Sequence, residues 1–444
     1  MKNVYIETFG CQMNLADTET VLARLSDAGY QRCHESEQAD LILYNTCSVR
    51  DNAEAKVRGR LDNLKWAKRE RPALRIGIMG CMAQRLREQL LEQHPHVDLV
   101  VGTDQFVHIP ALLEQLEQQG QLVATDFGDF EDRNWHAHRT EGINAWVPVM
   151  RGCNYNCTYC IVPKTRGAEK SRRPELIEEE VRELVDQGFV QVTLLGQTID
   201  AYGKTLGDGS DLAGLLRRLH AIEGLERIRF VTSHPKDITD RLLQTIAELP
   251  KVAKHLHVPA QSGSDRILRL MGRRYGRDDY LRFVERARRI VPGVELLSDF
   301  IVGFPRESDE DFQQTVSLMR EVRFDGAFVF MYSPRPGTGA ARLPDEIPDT
   351  IKRARCNELL GLQLQQQEAQ HQELIGQELE ILIEGPTRKD PERLLGRSIG
   401  NRMVVVPRAG NEHLLGQLAT ARIERATNLT LFGELVACPS RTAG

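Results

Sequence analysis

Arg151-Gly-Cys-Asn-Tyr-Asn-Cys-Thr-Tyr-Cys160 is the stretch around which the chain is organised. Cys153, Cys157 and Cys160 stand at C-x3-C-x2-C spacing, just after the apolar run Ala145-Trp-Val-Pro-Val-Met150. Three thiolates on one short loop can hold three irons of a cubane cluster, because each iron takes its own sulfur. The loop has no fourth cysteine, so one iron is left open to a small molecule. Zinc, a disulfide or three unrelated thiols are the alternatives. Zinc prefers four close ligands, and no His or Cys follows at a suitable distance.

Working outward, the chain has 444 residues, 41% hydrophobic and 27% charged, as in a globular protein with several cores. Met1-Lys-Asn-Val-Tyr-Ile runs directly into strand-like sequence, so neither an export signal nor a membrane span is expected. A cytoplasmic location follows, in which nine cysteines serve as metal ligands more readily than as disulfides. The formal charge of −5 excludes a globally basic, nucleic-acid-coating surface but not local basic patches.

Residues 1–120 alternate short apolar runs (Val4–Phe9, Leu41–Asn45, Ile76–Met79, Leu99–Val101) with helical patterns (Asp17–Ala28, Ala53–Arg69, Arg85–Gln93). That alternation predicts a parallel sheet with helices on both faces. Cys11, Cys47 and Cys81 each follow a different strand of it. Open α/β sheets bind ligands at the carboxyl ends of their strands, so these thiols should converge and hold a second cluster with an open iron. Cys33, Cys356 and Cys438 lack such a context and read as ordinary thiols. Residues 121–144, acidic and aperiodic with His136 and His138, read as a linker.

From 145 to 373 six further βα units are expected, with strands Trp146–Met150, Val192–Leu195, Ile228–Val231, His255–Val258, Leu296–Val302 and Ala327–Tyr332. Six strands are too few to close an eight-stranded barrel, so a partial barrel, open on one side, is predicted. Two basic clusters flank its expected mouth: Lys164, Arg166, Lys170, Arg172 and Arg173, and Arg266, Arg269, Arg273, Arg274 and Arg277. They are candidates for phosphate contact. After the polar helix Thr350–Glu373, residues 374–440 alternate in strand fashion (Glu378–Ile383, Ser398–Val406, Leu415–Arg422), which predicts a small all-β barrel. Nine Lys/Arg against eight Asp/Glu between Leu374 and Gly444 give that barrel no basic excess.

C-x3-C-x2-C after a strand resembles the radical S-adenosylmethionine (SAM) signature. The order of parts resembles the radical SAM methylthiotransferases over essentially the whole chain: a three-cysteine α/β domain, a partial (βα)6 radical SAM barrel, then a TRAM-like RNA-binding β-barrel. Thr8-Phe-Gly-Cys-Gln-Met-Asn14, Asn45-Thr-Cys-Ser-Val-Arg50, Met150–Pro163 and Gln261-Ser-Gly-Ser264 look like the branch acting on tRNA; the ribosomal-protein and threonylcarbamoyladenosine branches differ at Gln12-Met13. The resemblance implies two 4Fe-4S clusters, on Cys153, Cys157 and Cys160 and on Cys11, Cys47 and Cys81. It implies SAM as radical source and methyl donor, contacted by Gly196, Gln197, Ser233, Gln261, Ser262 and Asp299. The activity implied is methylthiolation at C2 of N6-dimethylallyladenosine next to the anticodon (position 37). Partners would be the tRNA anticodon stem-loop, an electron donor such as a flavodoxin or ferredoxin, and a sulfur source, with the protein a monomer. A ribosomal-protein or threonylcarbamoyladenosine substrate is an alternative within the family, and a non-catalytic iron–sulfur RNA-binding redox sensor one outside it. The sequence departs from the family at Lys164 and at Thr198-Ile-Asp200, neither of which is expected to touch a cluster ligand.

Overall fold

The computed structural model describes residues 1–48, 51–128, 139 and 142–436, the side chains of 51–53 aside. His136, His138, Cys438 and the Val49-Arg50 end of one quoted motif lie outside the described residues.

The first unit is a six-stranded, all-parallel sheet: β1 (Lys2–Phe9), β2 (Tyr30–Arg32), β3 (Leu41–Thr46), β4 (Arg75–Gly80), β5 (Leu99–Val101) and β6 (Leu122–Ala124). The spatial order is β2-β1-β3-β4-β5-β6. All six residues of β3 are buried, as a central strand covered on both faces requires. One face packs Leu25, Leu43, Leu99 and Leu113, the other Ile42, Leu61, Ile76 and Leu90. Each fully buried aliphatic side chain there contributes about 1.5–3 kcal/mol. The order in which strands are added reverses between β1 and β3, the switch point where doubly wound sheets bind ligands. Three details differ from the sequence expectation. The edge strand β6 lies inside the stretch read as a linker. The helix Ile109–Gln119, begun by Pro110, precedes it. The helical pattern Arg85–Gln93 is two short helices, Cys81–Leu86 and Glu88–Gln93, broken where Arg87 takes φ +51°.

The second unit contains β7 (Asn144–Pro148), β8 (Met150–Arg151), β9 (Lys170–Ser171), β10 (Gln191–Leu195), β11 (Arg227–Phe230), β12 (His255–His257), β13 (Glu295–Val302) and β14 (Gly326–Met331). β8 and β9 form a separate two-stranded ribbon. The other six run parallel in the order β7-β10-β11 and β12-β13-β14, with the Ile228–Val252 bridge joining the halves. No pairing joins β14 to β7 among the described residues, so the barrel is partial and open, as expected. Local chemistry starts its helices: Pro174 opens Pro174–Asp186, Asp211 and Thr239 cap theirs, and Ser308 with Asp311 forms a capping box.

The last unit is a closed five-stranded barrel of β15 (Glu378–Pro386), β16 (Arg393–Ser398), β17 (Met403–Pro407), β18 (Leu418–Ala426) and β19 (Leu431–Val436). The run Ser398–Val406, read as one strand, is a hairpin turning at Gly400-Asn401. That turn reaches into the lower end of the open barrel. Arg402 Nε lies 2.7 Å from Glu295 and its Nη2 2.8 Å from Asp325; Arg227 Nη1 donates to the Arg397 carbonyl at 2.6 Å, and Arg229 donates to Asn401. The five-stranded barrel therefore plugs the end of the lumen opposite the cysteines.

Candidate active site

Cys11, Cys47 and Cys81 stand at the carboxyl ends of β1, β3 and β4, which are neighbours in the sheet. Asn14 and Asn45 lock two of these ends together. Asn14 Nδ2 donates to Asn45 Oδ1 at 2.9 Å, and Asn45 Nδ2 donates back to the Asn14 carbonyl at 2.8 Å. Gly10, at φ +138°, lets the chain pass Cys47: a Cβ there would lie 2.5 Å from the Cys47 Cβ. A hydrogen bond with Cys47, with help from Arg166 and the Asn14 backbone, draws the Cys11 thiol down to about 6 although burial pushes it up. Thiolate is the form an iron needs.

The second trio lies on the loop after β8. Thr158 holds the loop to the 270s turn, its N–H on Met271 O at 2.9 Å and its hydroxyl on Leu270 O at 2.8 Å. Asn154 and Glu169 exchange hydrogen bonds of 3.1–3.2 Å across its base. Burial raises the Cys160 thiol to about 12, and Cys157 and Cys153 add to the rise. All three cysteines are half-buried on one loop, where positive charge alongside favours their thiolates. Arg273 supplies some of it, with Nη1 3.4 Å from Cys157 Sγ. Tyr155 stacks on His234 at 4.0 Å and donates to Asp237 at 2.6 Å, fixing the loop from above.

No three of the His, Cys, Asp or Glu donors converge as one metal ion requires, among the described residues. A cubane asks for something else: each thiolate meets a different iron corner, so the sulfurs stand apart around a shared volume. Both trios offer all-sulfur donors, the first on adjacent strand ends and the second on one loop pinned by hydrogen bonds, and both fit such a cluster.

Arg166, on the short helix after the second trio's loop, reaches across to the first trio; sequence reading placed it in a phosphate-binding cluster. The structure corrects this. Arg166 is 3% exposed on the short helix after the cluster loop. Its Nη2 lies 2.7 Å from Asp17 and 3.3 Å from Asn14 Oδ1, and Cys81 and Cys11 help hold its charge. Arg172 is likewise buried against Glu180 at 2.7 Å, and Lys170 meets Asp104 at 3.3 Å. This arginine-rich stretch welds domains together. In the second basic cluster Arg266 pairs with Asp311, Arg277 with Glu321 at 2.7 Å, and Arg273 with Cys157, leaving Arg269 and Arg274 exposed.

The other expected site residues gather at the strand ends of the barrel. Gln197 Oε1 accepts from the Gly152 N–H at 2.6 Å, tying the cluster loop to β10, and Gly196 packs on Met150. Ser233 Oγ and Gln261 Oε1 are buried without a hydrogen-bond partner among the described residues. Gln261 takes φ +69° and its N–H donates to Asp299 O at 2.8 Å. Ser262 is spent on the fold, bonding Thr315 Oγ1 at 3.3 Å. Asp299 is paired with His257, Oδ1 to Nε2 3.0 Å. Thr198, expected to touch no ligand, does: its Oγ1 lies 3.3 Å from Cys153 Sγ. Lys164 donates to the Gly337 carbonyl. Sequence reasoning also missed the segment after β14. Ala340 N–H bonds Thr158 O at 2.7 Å, and Arg335 sits near enough to feel the charge of Cys47, so the segment bridges back to both trios. Only the run Pro334-Arg-Pro-Gly337 hinted at an ordered crossing.

Residues 3–102 match the Uncharacterized protein family UPF0004, residues 147–319 the Radical SAM superfamily and residues 372–436 the TRAM domain. Among solved structures, the radical SAM methyltransferase TsrM from Kitasatospora setae, with cobalamin and a 4Fe-4S cluster bound, shares the fold. Its TM-score is 0.58 at 15% identity, over 77% of each chain. No helix of the described residues is long and apolar enough to cross a membrane. The tRNA-2-methylthio-N(6)-dimethylallyladenosine synthase of Moorella thermoacetica is 46% identical over 98% of each chain. Its counterpart in Desulfitobacterium hafniense is 44% identical over 98% of this chain and 97% of its own. Likeness at that level over the full length makes this chain a member of the tRNA-2-methylthio-N(6)-dimethylallyladenosine synthase family.

Proposed function

We propose that this protein adds a methylthio group to C2 of N6-dimethylallyladenosine next to the anticodon of tRNA. The observation that carries the reading is the presence of two three-cysteine sites in one chain, with Arg166, just after the barrel's cysteine loop, reaching Asp17 and the charges of Cys11 and Cys81. Bound there, the two 4Fe-4S clusters with SAM would supply radical chemistry at one site and sulfur at the other. The C2–H of adenine has no useful acidity, so general acid–base catalysis would not serve.

The chain's own residues hold and orient. Cys153, Cys157 and Cys160 carry the barrel cluster and Cys11, Cys47 and Cys81 the second. Gln197 and Thr198 steady the loop, and Arg166 keeps the two sites in register. Ser233 and Gln261, with unspent polar atoms, are the proposed SAM contacts, with Gly196 leaving room beside them. Ser262 and Asp299 act one step back, through Gln261 and His257. The proposed division is a first domain over 1–120, a linker to 144, a radical SAM domain over 145–373 and the TRAM-like barrel over 374–440. The anticodon stem-loop, a flavodoxin or ferredoxin, a sulfur source, a monomeric state and a cytoplasmic location complete the reading. The names of the relatives favour tRNA over a ribosomal protein, and the open barrel beside a SAM-type loop favours an enzyme over a sensor.

The test is one preparation assayed twice. With dithionite and SAM, a Cys11→Ala, Cys47→Ala, Cys81→Ala variant should still form deoxyadenosine but should add no methylthio group to prenylated tRNA. Normal product from that variant would remove the sulfur-carrying role from the first domain.

A further inference from the structure

Two aromatic side chains in the barrel are left uncovered. Phe328 is 53% and Phe330 46% exposed, whereas Phe300, Phe304, Phe312 and Phe324 are all 3% or less. Strand periodicity says which way they point. Ala327 and Val329 of β14 pack against the helix-side core, so Phe328 and Phe330 face the lumen. The register agrees, since parallel partners share a face: Phe328 pairs with Asp299 and Phe330 with Ile301, which alternate with the buried Ser298, Phe300 and Val302. Across β13, the His257 ring lies 5.9 Å from that of Phe328 and bonds Asp299.

The shelf has a floor and a rim. Below it, His255, Glu295 and Arg229 meet the Asn401 hairpin, which closes that end. Above it, Gln261 bonds the backbone of Asp299 and Ile301 at the mouth. A ligand entering from the mouth thus meets an apolar wall of Phe328, Phe330 and Ile301 beside one polar pair, His257–Asp299. A purine carrying a hydrocarbon on its exocyclic nitrogen has that same division between a polar edge and an apolar branch.

We infer that Phe328 and Phe330 receive the dimethylallyl group of the target adenosine and so set the preference for a prenylated base. The inference rests on the substrate reading above. Losing an apolar contact of this size in a pocket costs roughly tenfold to a hundredfold in discrimination.

Two anticodon stem-loop RNAs differing only in the prenyl group, titrated against the cluster-loaded protein by fluorescence anisotropy, test it. The wild type should bind the prenylated RNA at least about tenfold tighter. In Phe328→Ala, Phe330→Ala protein that ratio should fall toward one, with affinity for the unprenylated RNA retained; Phe328→Leu, Phe330→Leu should restore part of it. Circular dichroism melting checks the fold. A ratio preserved in the double Ala variant, while the wild type methylthiolates the prenylated RNA, would overturn the assignment of these two residues alone. A wild type that forms no methylthio product on either RNA would overturn the substrate reading, and this inference with it.

Discussion

Arg402 is where the C-terminal barrel is anchored, and its removal makes a prediction with a sign. The guanidinium spans Glu295 at 2.7 Å and Asp325 at 2.8 Å, and the three side chains are only 12–16% exposed. Burial already pushes Glu295 up to about 7, and raises Asp325, despite the opposing pull of Arg402. A carboxyl raised in the folded state contributes stability that is complete below its unfolded value near 4.5. That contribution is lost as pH climbs through about 7. Arg402→Ala deepens this dependence, because both acids lose the charge that let them ionise. At pH 5 Glu295 is largely protonated with or without the arginine, so the two acids call least on the guanidinium there and the variant should melt closer to the wild type. At pH 8 they are left ionised and unpaired, or held neutral against the pH, at about 3 kcal/mol or more. For a domain of this size that is a fall of about 6–12 °C. Differential scanning calorimetry at the two pH values reads it. Arg402→Lys should recover only part of the loss, since an ammonium cannot fork to two carboxylates. A melting difference that is the same at pH 5 and pH 8 would refute the reasoning.

Three other outcomes are expected. Replacing Cys153, Cys157 and Cys160 with Ala should leave about half the iron of anaerobically reconstituted protein, measured by colorimetric iron assay; full iron would show that the loop holds none. Gly152→Ala should abolish loading of the same cluster, because the new Cβ would lie 2.0 Å from the Ala168 carbonyl at a residue with φ +76°; iron content and the cluster's visible absorbance report it. Asp17→Ala should destabilise by about 3–5 kcal/mol, since it strands the buried guanidinium of Arg166, 2.7 Å away, and weakens the setting of Arg151 at 3.7 Å. A denaturation midpoint equal to that of the wild type would count against a welded interface.

The sequence by itself determined most of the elements and the candidate ligands. Strand periods, the C-x3-C-x2-C spacing and three strand-end cysteines are local signals, written by side-chain alternation and by the demand of each iron for a sulfur. Long-range ion pairs leave no such mark. Whether Arg166 faces phosphate or Asp17 depends on a helix 149 positions upstream in the chain, so its charge alone misled. The same holds for Asp299, whose partner His257 lies one strand away, and for the Gly400-Asn401 turn, legible as a turn but not as a plug. Thr198 was legible only as a departure from a pattern; that it meets Cys153 required the end of β10 to be folded beside the loop. Edge strands of three residues, such as β2 and β6, are too short to show a period. Tertiary structure decided the pairings because burial, not spacing, sets the cost of a lone charge: folding had to bring each buried charge a partner, from wherever in the chain the packing delivered one.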